Sequence, residues 1–357
     1  MRYVKLVLLV IIFVGCKKKK VSPIDDSIST VEKDRLKNGM MVLCQGLFQQ
    51  NNSTISWVDF SDGVSDDLFF TNKTERLLGD TGNDLQEYGG KVYVVVNVSS
   101  TIEILDRSTG KSIKQISMMN NGIAKQPRSI IFSGSNAFIS CYDGYVDVLD
   151  TATLTITKRI KVGSNPEQLA ISNNKIYVTN SGGLSSPNVD STVSVINLSS
   201  MDEVKKITVG KNPGTIVVDN QGDIYVIARG NYSSIPSRMV KINPILDQVE
   251  TTFSFDASGI EKMGNRLLIN YHNYSSSTSR VALFDAESET ILSNSFIDLS
   301  KFTTLYGMKY RASNDKIYCF DAMGYSNTGY VRVFSSLGVY ETSFHVGLNP
   351  SKIIFYE

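Results

Sequence analysis

The chain has 357 residues, and 41% of them are hydrophobic, which is enough to form a sizeable core. A chain of this length can form one all-β domain of roughly 300 residues behind an N-terminal leader. Its 36 Lys and Arg nearly balance its 35 Asp and Glu, so the formal net charge is only +1. Such a near-neutral chain gives no electrostatic footprint for nucleic acid, and no nucleic-acid partner is predicted.

The first 15 residues predict an export signal. Arg2 and Lys5 precede an unbroken apolar run, residues 6–14, which is too short to span a membrane as a helix. The run ends at Gly15, and Cys16 follows directly, as in a lipobox. The segment therefore resembles the signal peptide of a bacterial lipoprotein, whose mature chain would begin at a lipidated Cys16 and stay at a membrane surface. The alternative is an ordinary signal peptide followed by a cysteine by chance.

Residues 16–39 are predicted to comprise the lipidated cysteine and a polar tether. Four consecutive lysines, residues 17–20, could contact anionic lipid headgroups. A solvated spacer without lipid contact accounts for these lysines equally well. The folded domain is predicted to span residues 40–357.

A five-residue motif recurs seven times in that domain. It reads apolar, any residue, apolar, apolar, then Asp or Asn, with Ser in the last copy. The final positions of the copies are Asp59, Asp106, Asp150, Asn197, Asn243, Asp285 and Ser335. Their spacing of 42 to 50 residues, in a sequence without helical periodicity, indicates the blades of a β-propeller. Seven copies predict an all-β propeller of seven blades.

Each blade is predicted to contain four strands. The repeated motif is the third strand, a β-branched and aromatic run such as Ile176-Tyr177-Val178 precedes it, and a further strand follows it. The inner strand often follows a proline, as at Pro127, Pro166, Pro213 and Pro350. The first propeller strand, near Met41, is a second strand, whereas the last, residues 352–355, is an inner strand. One blade is therefore predicted to use both chain ends, which closes the ring and removes its open edge.

Three cysteines fall in the predicted second strands of different blades. They are Cys44, Cys141 and Cys319. Second strands of separate blades are too far apart for the short Cα separation of a disulfide. These cysteines are predicted to be buried free thiols that act as small apolar residues.

The candidate binding site lies in long loops between second and third strands, residues 180–191, 229–237, 271–279 and 321–329. In a propeller these loops share one face. The candidate ligand-binding residues in them are Arg229, Tyr232, Tyr271, His272, Tyr274 and Tyr325. Tyr and Arg supply recognition area, and small polar residues supply adaptable hydrogen bonds. The alternative is that the Asn, Gly and Ser of these loops are only turn formers.

The sequence gives little support for catalysis, and the chain is predicted not to be an enzyme. Its two histidines, His272 and His345, have no metal-ligand spacing, and no Gly-x-Ser-x-Gly motif is present. The stretch from Gly79 to Gly82 is similar to an aspartic-protease triplet but has no second copy, so a turn is predicted there. The single Trp excludes propellers with repeated Trp, including those that hold a quinone. No metal, cofactor or catalytic residue is predicted. A lone histidine in a loop is usually a surface residue, and the alternatives for His272 are a ligand contact or a proton carrier.

The motif Tyr177-Val178-Thr179-Asn180 resembles the repeat of exported seven-bladed propellers with Tyr-Val-Thr-Asn sequences. Tyr225-Val226-Ile227-Ala228 and Tyr318-Cys319-Phe320-Asp321 are degenerate copies, and the likeness extends from Met40 to the C-terminus. With its lipobox, the chain resembles the surface lipoprotein branch of that family. Some members of the branch capture cobalamin and pass it to a TonB-dependent outer-membrane transporter. The resemblance thus implies an envelope protein with a cobalamin-like ligand and a transporter as partners.

The sequence predicts a lipid-anchored propeller of the Gram-negative outer membrane, with its exposure to the surface or the periplasm left open. It is expected to bind a small molecule or a membrane partner through its loop-rich face. One alternative is a propeller enzyme, such as a lactonase or a lyase, with carboxylate, Asn and His side chains clustered in the central channel. Another is a protein-binding scaffold with a flat apolar face and no pocket.

Overall fold

The computed structural model describes residues 35–273 and 278–357. Within these residues the secondary structure is almost entirely β. The elements in chain order are β1 (Gly39–Cys44), β2 (Thr54–Asp59), β3 (Ser65–Asp66), helix α1 (Phe69–Thr74), β4 (Gly82–Tyr88), β5 (Lys91–Val96), β6 (Thr101–Asp106), β7 (Ser112–Ser117), β8 (Met119–Asn120), β9 (Ile123–Ala124), β10 (Pro127–Ser133), β11 (Asn136–Cys141), β12 (Tyr145–Asp150), β13 (Thr155–Lys161), β14 (Pro166–Ser172), β15 (Lys175–Asn180), β16 (Thr192–Asn197), β17 (Asp202–Thr208), β18 (Pro213–Val218), β19 (Ile224–Ala228), β20 (Arg238–Asn243), β21 (Gln248–Phe253), β22 (Ala257–Met263), β23 (Arg266–Asn273), β24 (Thr278–Asp285), β25 (Thr290–Ile297), β26 (Leu305–Arg311), β27 (Lys316–Asp321), β28 (Thr328–Ser335), β29 (Tyr340–Leu348) and β30 (Pro350–Tyr356).

The strands form the seven four-stranded antiparallel blades that the repeat predicted. From the inner to the outer strand, blade 1 is β30-β1-β2-β3, blade 2 is β4 to β7, blade 3 is β10 to β13, blade 4 is β14 to β17, blade 5 is β18 to β21, blade 6 is β22 to β25 and blade 7 is β26 to β29. The inner strands contact one another in a closed ring that returns from β30 to β4. A small hairpin, β8 with β9, lies in the connection between blades 2 and 3.

Blade 1 is built from both ends of the chain, which confirms the predicted closure. Strand β30 pairs with β1 in antiparallel register from Gly39 with Tyr356 to Leu43 with Lys352, then shifts by a bulge. Because β30 also contacts β4 of blade 2 and β26 of blade 7, it completes both the blade and the ring.

The core consists of apolar side chains between neighbouring blades. In β19, Ile224 and Val226 pack toward blade 4, whereas Tyr225 and Ile227 pack toward blade 6. Successive side chains of a strand point to opposite faces, and here both faces are covered by other sheets. The second strands therefore read as continuous apolar runs rather than as alternating ones.

The Asp or Asn that ends each repeated motif caps the turn to the outer strand. Asp150 Oδ1 accepts hydrogen bonds from the backbone N–H groups of Ala152, at 3.0 Å, and Thr153, at 2.7 Å. These backbone hydrogen bonds hold the pKa of the Asp150 carboxyl below its ordinary value. Equivalent caps occur at Asp59, Asp106, Asn197, Asn243 and Asp285, and the Ser335 hydroxyl takes this place in blade 7. The polar residue of the repeat therefore has a structural role.

The three described cysteines are buried free thiols, as predicted. Burial raises the pKa of the Cys44 thiol to about 12, and burial also raises the pKa values of Cys141 and Cys319. The thiolate is the reactive form of cysteine, so these groups are chemically inert at neutral pH.

The propeller has two unlike faces. Connections from second to third strands and from outer strands to the next inner strand lie on what we call the loop-rich face, and the shorter turns lie on the opposite, turn face. The described chain begins at the turn face, where the Leu36 N–H donates to the Ser108 carbonyl at 2.7 Å. Strand β1 starts at this face, and β30 ends at it. No helix among the described residues is long and apolar enough to cross a membrane.

Candidate functional site

Every inner strand contains a β-bulge close to its first residue. The pairing between inner and second strands shifts there by one residue in all seven blades. Bulges re-aim side chains, and they are common at the rims of sites. The second residue of each inner strand, here called the mouth ring, is Asn83, Arg128, Glu167, Gly214, Ser258, Tyr306 or Ser351.

A central cavity of about 800 Å³ is lined by four residues of the mouth ring, Asn83, Ser258, Tyr306 and Ser351. Inner strands form its wall, and residues 232–237 of the blade 5 loop cover part of it. Small-molecule sites typically have volumes of roughly 300–1,000 Å³. The cavity is therefore large enough for a drug-sized ligand, and the face is not the flat surface that a pure scaffold would present.

The structure brings four of the predicted binding residues together at this cavity. Arg229 and Tyr232 come from blade 5, His272 from blade 6 and Tyr325 from blade 7, and all four line the cavity. The loop positions that the sequence grouped on one face thus converge on the central channel.

Tyr271 does not reach the cavity. It lies on strand β23 next to His272, so its side chain points to the opposite side of the strand. It is buried between blades, where its ring contacts Phe255 and lies under the Arg280 guanidinium at 4.1 Å. The predicted Tyr274 and the predicted lipid-bearing Cys16 lie outside the described residues.

A charged cluster occupies the mouth ring in blades 3 and 4. Arg128 donates from Nε and Nη2 to Glu167 Oε2 at 3.1 and 2.9 Å, and its guanidinium lies 4.7 Å above the Tyr142 ring. The Tyr142 hydroxyl donates to the other carboxylate oxygen of Glu167 at 2.5 Å. Burial opposes the charge of Glu167, but Arg128, Arg229 and the Tyr142 hydrogen bond outweigh it, so the pKa of Glu167 lies below its ordinary value. Glu167 is therefore ionised at neutral pH.

Arg229 occupies the place of a missing side chain in the mouth ring. Gly214 lies in the ring position of blade 5, and a Cβ atom built on it would lie 2.3 Å from Arg229 Cζ. The backbone N–H of Arg229 donates to the Asn212 carbonyl at 3.0 Å, which fixes the start of the loop. The guanidinium therefore lies across β18 where the other blades carry their own ring residue.

Hydrogen bonds within residues 229–237 shape the loop that carries Tyr232. Asn231 Oδ1 accepts from the backbone N–H groups of Ser233, at 3.1 Å, and Ile235, at 2.8 Å. Gly230 has φ +71°, and a Cβ atom there would lie 1.9 Å from the Ile235 carbonyl oxygen, so only glycine fits. Tyr232 is 59% exposed at the tip of the loop. The loop thus holds an aromatic ring over the cavity without burying it.

Two tyrosines line the opposite side of the mouth. The Tyr306 hydroxyl donates to Gln45 Oε1, and its ring meets the Tyr325 ring edge to face at 5.7 Å. Burial raises the pKa values of both phenols, so both are neutral donors at physiological pH. Tyr325 is half exposed and completes an aromatic rim with Tyr232.

The polar side chains deeper in the cavity are mostly engaged with the protein. Asp84 accepts hydrogen bonds from the Ser129 hydroxyl at 2.7 Å and the Ile130 N–H at 3.0 Å. His272 Nδ1 lies 2.9 Å from the Ser279 hydroxyl. Among residues 35–273 and 278–357, no three His, Cys, Asp or Glu side chains are grouped as a metal site would require.

The mouth ring, including Arg128, Glu167 and Tyr306, was not predicted from the sequence. A signal for four of its residues was present, because each directly follows one of the prolines that open inner strands. The residue before each of these prolines has a positive φ, as at Asn165 with +45° and Asn212 with +56°. That left-handed residue and the proline turn the chain into the bulge, so the position after the proline marks the ring.

Similarity to known proteins agrees with this architecture. No curated protein sequence matches the chain. The solved structures with similar folds include hydrazine synthase of Kuenenia stuttgartiensis, with 16% identity, a TM-score of 0.62, and coverage of 74% of this chain and 85% of that one. They also include a quinoprotein alcohol dehydrogenase-like protein from Bacteroides thetaiotaomicron, with 14% identity, a TM-score of 0.68, and coverage of 90% and 79%. The computationally designed protein Ika8 shows 13% identity, a TM-score of 0.54, and coverage of 87% and 88%.

At these identities the structural similarity supports the propeller fold alone. A family model, by contrast, matches residues 38–344, which include most of the propeller. The chain therefore belongs to the family described as domain of unknown function (DUF5074).

Proposed function

We propose that this propeller is a non-enzymatic receptor that captures a small molecule at the central mouth of its loop-rich face. The observation that carries the proposal is the convergence of Arg229, Tyr232, His272 and Tyr325 from three blades on one cavity of about 800 Å³. Exposed aromatic rings and an Arg at the rim of a concave site are the residue types that dominate binding energies.

The role is proposed to be binding because the carboxylates around the cavity are already engaged. Asp84 lies 3.7 Å from Lys352, Glu261 lies 3.3 Å from Lys309, and Asp256 accepts a hydrogen bond from Ser237 at 3.0 Å. A general base must be within hydrogen-bond reach of a substrate proton, and these carboxylates already hold partners from the protein. Their engagement supports a structural role at the mouth over a catalytic one.

The first ligand to test is a corrinoid, because the chain resembles exported propellers that capture cobalamin. A corrinoid is larger than the ligands that cavities of this size enclose, so it would lie across the mouth against Tyr232 and Tyr325. We further propose that lipidated Cys16 anchors the protein at the Gram-negative outer membrane and that the mouth passes its ligand to a TonB-dependent transporter.

Replacing Tyr232 and Tyr325 together by Ala is expected to weaken cyanocobalamin binding at least tenfold in calorimetry, because both aromatic contacts are lost. The melting temperature should stay nearly unchanged, since exposed substitutions seldom cost more than about 0.5 kcal/mol. The matched control is the double change Leu337→Ala and Val339→Ala, which removes two exposed apolar residues of the turn face. Full binding by the tyrosine variant, or loss of binding in the control alone, would refute the site.

Cys16→Ala is expected to abolish labelling by a fatty-acid analogue and to release the protein from membranes into the soluble fraction. The thiol is the acceptor of the lipid, and a lipid chain supplies about 0.8 kcal/mol of membrane affinity per buried CH₂. Lys17→Ala, which leaves the thiol in place, serves as the control. Membrane retention of Cys16→Ala at the level of Lys17→Ala would contradict the anchor.

A further inference from the structure

Arg229 differs from the other cations of the channel in having no counter-charge. The lysines that line the cavity with it both pair with carboxylates, Lys309 with Glu261 at 3.3 Å and Lys352 with Asp84 at 3.7 Å. Arg128 of the mouth ring likewise pairs with Glu167, at 2.9 Å. Within residues 35–273 and 278–357, the Arg229 guanidinium forms neither an ion pair nor a hydrogen bond. It is nevertheless partly buried at the cavity wall.

Glu167 does not act as the counter-charge of Arg229. Its carboxylate influences Arg229 electrostatically, but its two oxygens already accept hydrogen bonds from Arg128 and Tyr142. The mouth ring of blades 3 to 5 together with Arg229 therefore contains two guanidinium groups and one carboxylate, which leaves one positive charge. Partly buried charges are normally paired, because desolvation without a partner is costly.

Gly214 leaves space for the Arg229 guanidinium. Its backbone is outside the left-handed region, so no conformational reason requires glycine there. The reason is space, since a Cβ atom would lie 2.3 Å from Arg229 Cζ and 2.4 Å from Nη2. The absence of a side chain lets the planar guanidinium lie against the strand with its fork available to the cavity.

We propose that Arg229, seated on Gly214, binds a carboxylate or phosphate group of the ligand, and hence that the captured molecule carries an anionic group. The inference rests on the proposed function and names the chemical class of its ligand. A guanidinium fork matches the two oxygens of either group in a bidentate geometry that a lysine cannot reproduce. Tyr232 and Tyr325 would then contact the uncharged body of the ligand.

The test uses three fluorinated probes of similar size on the mature chain, followed by ¹⁹F NMR: 4-fluorobenzoate, 4-fluorophenyl phosphate and the neutral 4-fluorobenzamide. At least one anion should bind tenfold or more tightly than the amide, and its affinity should fall as salt rises. The tighter of the two anions identifies the preferred group. Arg229→Gln should cost roughly ten- to a hundredfold for that anion and little for the amide.

Two further variants separate charge from geometry. Arg229→Lys keeps the positive charge but loses the planar guanidinium, and Gly214→Ala keeps the arginine but displaces it. Each variant should therefore lose part of the preference for the anion over the amide. Lys158→Gln, the control, removes an exposed cation of an outer strand and should leave the affinities for all three probes unchanged. All variants should melt close to the parent, which separates loss of binding from loss of folding.

The outcomes distinguish this inference from the proposed function. Equal binding of the amide and both anions, or an anion affinity that Arg229→Gln leaves unchanged, would overturn the anion site and leave the mouth as a neutral receptor. Failure of both anions at millimolar concentration, with cyanocobalamin bound equally well by the parent and by Arg229→Gln, would have the same meaning. Failure of every probe and of cyanocobalamin would overturn both proposals.

Discussion

Deletion of residues 351–357 is expected to unfold the whole ring and not merely to loosen one blade. The deletion removes most of β30 and with it the buried side chains of Ile353, Ile354 and Tyr356. Truncating one such side chain typically costs about 2–5 kcal/mol, and a whole domain has only about 5–15 kcal/mol of stability. The loss also exposes an edge of β1 and separates blade 7 from blade 2 at the channel.

Circular dichroism and urea unfolding of the deletion variant would measure this effect. We expect no cooperative transition, or one displaced to much lower urea. Deleting only Glu357, an exposed residue whose ion pair with Arg311 spans 3.5 Å, is the matched control and should behave as the parent does. A cooperative transition of parental midpoint in the longer deletion would show that the ring does not depend on its closing strand.

Asp147→Asn is expected to cost about 3–5 kcal/mol of folding free energy, the second large effect. The Asp147 carboxylate is fully buried and accepts from Lys125 Nζ at 2.6 Å and from Arg159 Nε at 2.6 Å. Arg159 keeps Asp143 as a second partner at 2.5 Å. Lys125, whose side chain is only 8% exposed, keeps no carboxylate of its own in the described chain. The cost arises from this uncompensated charge.

The control for this change is Asp202→Asn, on the neighbouring outer strand. Asp202 pairs with Lys158, which is next to Arg159 in the sequence, but both side chains are exposed to solvent. Exposed ion pairs contribute about 0–1 kcal/mol, so the control should lose little. Equal losses of unfolding free energy in the two variants, measured by urea unfolding, would show that the burial of Asp147 does not cause the destabilisation.

The architecture was predictable because it follows from patterns that are local in sequence. Each blade repeats an apolar run, a capped turn and a spacing set by four short strands. The Asp or Asn caps explain why the repeat ends as it does, since each side chain hydrogen-bonds to backbone groups two or three residues later. The closure also followed from counting strands, because the chain begins with a second strand and ends with an inner one.

The candidate site was predictable only in part. Arg229, Tyr232 and Tyr325 lie in loops whose face the strand order fixes, so their convergence could be expected. Tyr271 could not be assigned in this way, because strand β23 runs to Asn273 and its alternation decides which side chain reaches the channel. The sequence also gave no sign that Arg229 lies over Gly214, 15 residues earlier, because that contact depends on the pairing of β18 with β19.

The described chain joins the propeller at the turn face, so the segment between Cys16 and Leu36 limits how far the propeller can lie from residue 16. From Cys16 to Leu36 the chain has twenty residues, which span at most about 70 Å when fully extended. If Cys16 carries the proposed lipid, the attachment enters the propeller at its turn face, the side away from the mouth. The proposed delivery to a transporter could then take place only within the length of this segment. The length of this segment would therefore set how far from the proposed anchor the propeller can collect a ligand and which membrane proteins it can contact.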